Sequence, residues 1–300
     1  MILKYIVKEN DENKQLKEIL KKKMYISNIL LNKLKMSNSV IVNGTSEFVT
    51  YIAKKNDEIV IDFDNMNNEI YNNKNNLYYK ELKYLDKYKK LEYDLDIIYE
   101  DEYLLIINKP VNMAIHPSCA NYETTLSNAV ATYLEKQNIY SIHIVTRLDK
   151  NTSGICIFAK NEYIQELFSK TKEKINLKKE YIAVVNGIIL NNHEIIEKNI
   201  ARSRDSIITR EINENGDYAK TEYFVTEINK EKNYTIVKVI LHTGRTHQIR
   251  VHMASINHTL LGDTLYAKPS ELEYITKYIS RQALHSNKIS SISDSLCKLK

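Results

Sequence analysis

KTEYFVTEINKEKNYTIVKVILHTG, residues 220–244, is the stretch that decides the fold class. Two runs rich in β-branched and aromatic residues, KTEYFVTEI (220–228) and YTIVKVILHTG (234–244), flank a polar turn at Asn229–Asn233. That pattern predicts an antiparallel hairpin. Upstream, EYIAVVNGIIL (180–190) and ICIFAK (155–160) have the composition of further strands. DIIYEDEYLLIINKP (96–110) predicts two more around a turn at Glu100–Glu102, ended by Pro110. Helices are fewer. Thr125 can cap one that carries Leu126, Val130 and Leu134 on a single face, and Asn161 can cap another with Ile164, Leu167, Phe168 and Ile175. Strands outnumber helices and neighbour one another, so the expected class is α+β with a mixed, largely antiparallel sheet.

The N-terminal part has a different organisation. Over residues 12–35, Leu16, Leu20, Met24, Ile29, Leu30, Leu31 and Leu34 recur mostly at three- and four-residue spacings, and Ser27 can cap the second of two helices. VIVNG (40–44) then predicts a hairpin turning at Asn43-Gly44, and EIVIDF (58–63) a third strand. Asparagine-rich and then Lys/Tyr-rich sequence follows. The expected division is therefore a small α/β domain over residues 1–64, a partly helical linker over 65–92, and a larger domain over 93–300.

Composition removes several function classes. Hydrophobic residues make up 43% of the 300, enough for a sizeable core. No run approaches the roughly 20 apolar residues of a membrane helix. The opening MILKYIVKENDENK is broken by lysines and acids, unlike a signal peptide. The expectation is a cytoplasmic protein, monomeric by default, with no membrane partner. Cys119, Cys156 and Cys297 are far apart and lack CxxC spacing, which argues for reduced thiols rather than a disulfide or zinc framework. The net charge of +5 permits nucleic-acid binding through local patches without demonstrating it.

Two blocks carry chemistry. In RLDKNTSG (147–154) an aspartate opens a tight polar turn between the apolar runs IHIV and ICIF. A carboxylate so placed can face a cleft while strands hold it rigid; an ordinary turn aspartate bonded to its own backbone is the competing reading. In HTGRTHQIRVHMA (242–254), Thr246 can cap a helix on which His247, Arg250 and Ala254 share one face and Ile249, Met253 and Ile256 the opposite one. Arg250 would then project from the polar side of an anchored helix and pair with a carboxylate or phosphate. The five-residue spacing of His242, His247 and His252 points them apart on a helix or a strand, so no metal site is expected. Walker A, GxSxG and GxGxxG motifs are absent, and no cofactor is expected.

With these blocks in hand, residues 94–290 resemble the RluA family of RNA pseudouridine synthases. The resemblance rests on IIYEDEYLLIINKP, RLDKNTSG, KKEYIAVVNG (178–187), LHTGRTHQIRVHMA, LGDTLYA (261–267) and RQALH (281–285), in the family's order and approximate spacing. Residues 14–63 resemble, more loosely, the RNA-binding domain typified by ribosomal protein S-four, with KKNDEI where lysine-glycine-aspartate is usual. The resemblance implies isomerisation of uridine to pseudouridine in a structured RNA, foremost large-subunit (23S) ribosomal RNA. Transfer RNA, or a non-catalytic RNA-binding protein on the same scaffold, is the alternative. It puts the catalytic aspartate at Asp149, its basic partner at Arg250, the tyrosine that stacks on the flipped base at Tyr181, and an RNA-inserting side chain at Arg147; Arg245 and His247 are expected to support the site or touch RNA. Thr146 stands where the family usually has histidine. The chain ends soon after RQALHSNKI, a departure expected to loosen the sheet edge.

The reaction cleaves the bond between uracil nitrogen and ribose, turns the base and rejoins it through carbon. An ionised aspartate can attack the anomeric carbon or remove the 2′ proton to give a glycal. A glycoside or nucleoside hydrolase also acts at an anomeric carbon but needs two flanking carboxylates. Asp263 in LGDTLYA is the nearest second acid, and a structural turn role is the expectation for it.

Overall fold

The structure is a computed structural model that describes residues 1–73, 88–117, 123–139, 141–170, 177–204 and 206–291. Half of the linker segment (74–87), Ile175, Cys119 and Cys297 lie outside those residues. Cys156 is a buried free thiol. Among the described residues no helix is long and apolar enough to cross a membrane.

The N-terminal unit starts with a strand that the lysine-broken opening did not reveal. β1 (Ile2–Ile6) pairs antiparallel with β4 (Glu58–Asp62), and β2 (Val40–Val42) pairs with β4 on its other side. β2 turns into β3 (Thr45–Ser46) through Asn43 at φ 49° and Gly44 at φ 84°, the doubly left-handed geometry that Asn-Gly adopts most easily. Helices α1 (Leu16–Lys22) and α2 (Asn28–Met36) cover the sheet, and Ser27 Oγ accepts the Leu30 N–H at 2.8 Å to cap α2. The expected boundary at residue 64 falls inside a helix, α3 (Phe63–Asn72), whose start is capped by the Asp62 side chain. Phe63, Met66 and Ile70 on α3 are buried in the N-terminal core, so the first residues of the expected linker belong to that core.

The larger unit is built on a nine-stranded sheet. Its strands are β5 (Ile97–Glu100), β6 (Leu104–Lys109), β7 (His143–Ile144), β8 (Ser153–Ala159), β9 (Leu177–Asn186), β10 (His193–Glu197), β13 (Lys220–Asn229), β14 (Tyr234–Leu241) and β15 (Leu284–Ser291). The main path runs β10-β13-β14-β9-β15-β8-β6-β5, with β7 beside β8. The hairpin from residue 220 is β13–β14, in register from Thr221↔Leu241 to Asn229↔Tyr234. Helix α4 (Leu126–Glu135) has the expected Thr125 cap, reinforced by the reciprocal bond from the Asn128 side chain, and α5 (Glu162–Lys170) begins with Asn161 accepting the Ile164 N–H at 2.9 Å. A separate hairpin, β11 (Ile200–Arg202) with β12 (Arg210–Ile212), lies near α6 (Gln248–Ala254); α7 (Leu272–Thr276) precedes β15.

The C-terminal strand does not loosen an edge, as the short tail suggested. β15 sits inside the sheet, antiparallel to β9 and parallel to β8. The parallel step brings Ser286 opposite both Tyr181 and Gly154. Gly154 has φ 108°, and a Cβ there would lie 2.2 Å from the Ser286 carbonyl oxygen. Gly154→Ala is therefore expected to destabilise the fold by at least about 2 kcal/mol, read as a lowered urea midpoint; an unchanged midpoint would contradict this packing.

The two units share one core. Tyr163, Ile164, Leu167 and Phe168 of α5 are buried together with Leu30, Leu34, Phe63 and Met66. Phe63 stacks on Tyr163 at 5.2 Å, and Lys33 Nζ donates to Glu162 at 2.7 Å. Each large apolar side chain so buried contributes about 1.5–3 kcal/mol relative to exposure, enough to hold the N-terminal unit in a fixed place beside the larger sheet.

Candidate active site

A cleft of about 1290 Å³ opens between the units. Its walls include Lys33, Phe63 and Met66 from the N-terminal side and Asp149, Tyr181 and Arg250 from the larger sheet.

Asp149 is delivered by the turn that precedes β8. The Thr152 N–H closes the turn onto the Asp149 carbonyl at 3.1 Å. A residue that the sequence gave no reason to choose fixes the turn from beneath. Lys109, at the end of β6, is wholly buried and donates from Nζ to the carbonyls of Pro110 (2.7 Å), Met113 (2.9 Å) and Lys150 (3.0 Å). Burial pushes its amine down to about 8, which still leaves it charged at neutral pH and able to donate all three bonds.

Arg250 meets Asp149 from α6. The expected helix is shorter than the pattern implied, and Thr246 does not cap it. His247 occupies the cap position at φ 57°, with no side-chain cap bond. Gln248 anchors the helix start instead. Its Oε1 accepts from the Thr243 hydroxyl and the Arg245 N–H, and its Nε2 donates to the Lys220 carbonyl and to Thr221 Oγ1. Arg250 pairs with carboxylates as the polar side of the pattern implied, but that side is closed to water. Gln248 through Met253 are all buried, with β12 and β13 packed against the helix and Asp263 and Tyr266 against Arg250.

Arg250 is only 7% exposed and reaches two carboxylates. Its Nη1 lies 3.4 Å from Asp149 Oδ2. Its Nε and Nη2 make a two-pronged pair with Asp263, both at 2.7 Å. The role expected of Asp263, a turn residue, covers only its lesser contact, acceptance of the Leu265 N–H at 3.3 Å. Burial of the guanidinium is outweighed by the neighbouring carboxylates, first Asp263, and holds Arg250 firmly charged.

His247 completes the cluster, with Nε2 3.8 Å from Asp149 Oδ2 and Nδ1 2.7 Å from the Tyr266 hydroxyl. Burial pushes the imidazole down, against the pull of Asp149. Tyr181, on β9, is 6% exposed on the same cleft wall. Its phenol is pushed up, by burial first and then by the charges of Cys156 and Asp149.

The remaining basic residues lie at the rim. Arg147 is exposed, and its charge with burial holds His116 below the usual range. Arg245 turns away from Asp149; its Nε donates to the Tyr218 carbonyl at 3.0 Å, and its Nη1 faces Asp217 at 3.5 Å. Of six residues singled out from sequence, Asp149, Arg250, His247 and Tyr181 come together, and Arg147 and Arg245 flank them. Histidines 242 and 252 go elsewhere, to Glu222 and to Thr221 with the Lys198 carbonyl.

Comparison with known proteins gives a consistent result. A family model described as RNA pseudouridylate synthase matches residues 103–255. A Bacillus subtilis protein described as the uncharacterized RNA pseudouridine synthase YhcT is 31% identical over 291 residues, 97% of this chain and 89% of that protein. The ribosomal large subunit pseudouridine synthase D of Haemophilus ducreyi is 37% identical over 200 residues, 64% of this chain and 61% of that protein. Among solved structures, human RNA pseudouridylate synthase domain containing 1 superposes with a TM-score of 0.55 at 26% identity, covering 67% of this chain and 80% of that one.

Proposed function

Since the chain belongs to the RNA pseudouridine synthases of the RluA family, an isomerase acting on uridine in RNA, we propose that Asp149 is its catalytic carboxylate and large-subunit ribosomal RNA its substrate. One observation carries the first part: Asp149 Oδ2 faces Arg250 Nη1 at 3.4 Å and His247 Nε2 at 3.8 Å on a cleft wall shared with Tyr181. The second part is supported by the ribosomal relatives, such as the Haemophilus ducreyi protein.

The target atoms of a stacked uridine are inaccessible, so the nucleotide must leave the helix. Tyr181 offers the extruded base a ring; base–aromatic stacking is worth about 1–3 kcal/mol. Arg147, exposed at the cleft rim, fills the vacated stack. The Arg250 guanidinium sets a positive charge beside the carboxylate. Asp149 then takes the anomeric carbon as electrophile, or takes the 2′ proton; both routes release uracil from its nitrogen–ribose bond within the cleft and allow reattachment through carbon. The carboxylate is regenerated in either case.

The division into a small domain over residues 1–64 and a larger one from residue 93 belongs to the same reading. The small one serves as an S-four-like RNA-binding element. The position of the small domain supports this: it packs against α5 and lies beside the cleft that holds Asp149. We assign the activity to a single chain in the cytoplasm.

The test is the purified full chain with unmodified transcripts of large-subunit ribosomal RNA and of transfer RNA. Pseudouridine at one or a few discrete uridines of the ribosomal transcript is expected. Product confined to transfer RNA would overturn the substrate assignment.

A further inference from the structure

Asp263 is the least exposed acid of the site, at 1%, and nothing in the chemistry above uses it. It lies in LGDTLYA, in the turn that follows Leu260, with its carboxylate against the Nε–Nη2 edge of Arg250 at 2.7 Å on both prongs. Those are the length and geometry of a strong charge-assisted pair. Asp149, more exposed at 27%, receives one long contact of 3.4 Å from the remaining Nη1. An arginine opposite a single carboxylate would ordinarily present its fork to that carboxylate and occupy both of its oxygens. Here the fork is already taken, and by a partner that water cannot reach.

The adjoining residues hold this arrangement in place. Tyr266, three positions beyond Asp263, sets its ring 5.0 Å from the Arg250 guanidinium carbon. Its hydroxyl accepts the Arg210 N–H at 3.0 Å and bonds His247 Nδ1 at 2.7 Å. Gly262, at φ 74°, lets the turn pass so close that a Cβ would sit 1.9 Å from the Arg281 carbonyl oxygen. The turn is therefore built to a single geometry, with Asp263 and Tyr266 fixed under Arg250 and His247.

Resting on the reading of Asp149 as the catalytic carboxylate, we propose that Asp263 is a positioning residue for the isomerisation: it grips two edges of Arg250, shares its charge, and so keeps the arginine from clamping Asp149. Asp149 stays beside a cation yet keeps its oxygens available for the ribose. Without Asp263, the Arg250 fork turns to Asp149, the other carboxylate in reach among the described residues. The charged and titratable groups around the pair are His247 ahead of α6, Tyr266 in the turn, Arg210 on β12, Lys109 at the end of β6 and Tyr181 on β9.

The test is Asp263→Asn in the full chain, assayed for pseudouridine formation on one RNA across pH. Turnover is expected to fall about 10- to 100-fold with KM within about threefold, the signature of a misplaced reacting group rather than lost binding. The acid limb of the kcat profile is expected to move to lower pH, because an Arg250 no longer shared with Asp263 favours a charged neighbour more strongly. A purely structural residue would leave that limb in place. Turnover within twofold of the original, or a loss with an unmoved acid limb, would overturn the proposal. Should Asp263→Asn fail to fold, Asp263→Glu keeps the charge and displaces it by one methylene; an about tenfold or greater loss of kcat with the acid limb unmoved is then expected, and an unchanged kcat overturns it. Asp149→Asn separates the two readings. If that variant is inactive while Asp263→Asn turns over normally, only the positioning role falls; if Asp149→Asn itself turns over, the assignment of the site falls.

Discussion

Asp149→Asn is expected to abolish pseudouridine formation, by about 10³-fold or more, while leaving the fold and RNA affinity intact. The substitution keeps the size of the side chain and removes the one function it supplies, a carboxylate that can act as nucleophile or base; general base catalysis alone contributes about 10²- to 10⁴-fold. Asp149 is partly exposed and its carboxylate accepts no hydrogen bond shorter than the 3.4 Å contact from Arg250 among the described residues, so an amide can occupy its place at little cost to stability. Affinity should change by less than about threefold, since phosphate contacts dominate RNA binding. Single-turnover assays and filter binding on the same RNA check both halves. A variant that loses binding and activity together would mean that Asp149 holds the RNA rather than reacts with it.

Arg250→Met is expected to be the most destabilising substitution in the site. It leaves the Asp263 carboxylate buried with no guanidinium opposite it, and breaking a buried pair from one side costs about 3–5 kcal/mol. Replacing both members, Arg250→Met with Asp263→Asn, removes the unpaired charge and should recover most of that loss. The recovery in a double-mutant cycle by urea unfolding measures the coupling. Both variants should be catalytically poor, because Asp149 loses its neighbouring cation. Additive losses in the cycle would show that Arg250 and Asp263 do not act as a pair.

How far these features were legible in the sequence follows from the range of the interactions that create them. The β13–β14 hairpin, the Asn43-Gly44 turn and the caps Ser27, Thr125 and Asn161 are each decided within a few residues, and each stands where the pattern placed it. β1 and β15 were missed or misjudged because their pairing is remote. Ile2–Ile6 needs β4, more than fifty residues away, and β15 is held by β9 along its length and by β8 at His285 and Ser286, with little apolar pattern of its own at its polar end. α6 misled for a related reason. The two-face pattern does not reveal that Gln248 through Met253 are all buried, with Asp263 and Tyr266, remote in sequence, against Arg250.

In the site, Asp149, Tyr181, Arg250 and His247 were found through motif resemblance, and their convergence on one cleft agrees with it. Chemistry alone gave no sign of Lys109, whose value lies in three carbonyls brought together by the fold. Asp263 was visible as a second acid, but only its two bonds to Arg250 distinguish a partner from a turn residue. Arg245, expected to support the site or touch RNA, has Tyr218 and Asp217 as its neighbours rather than Asp149.

Whether Asp149 performs the isomerisation in ribosomal RNA is decided by mapping pseudouridine at single-nucleotide resolution in cells lacking this gene, complemented with either the original chain or Asp149→Asn. The expected result is that one or a few large-subunit ribosomal positions lose pseudouridine, regain it with the original chain, and stay as uridine with Asp149→Asn expressed to the same level. Restoration of those positions by Asp149→Asn would contradict the account.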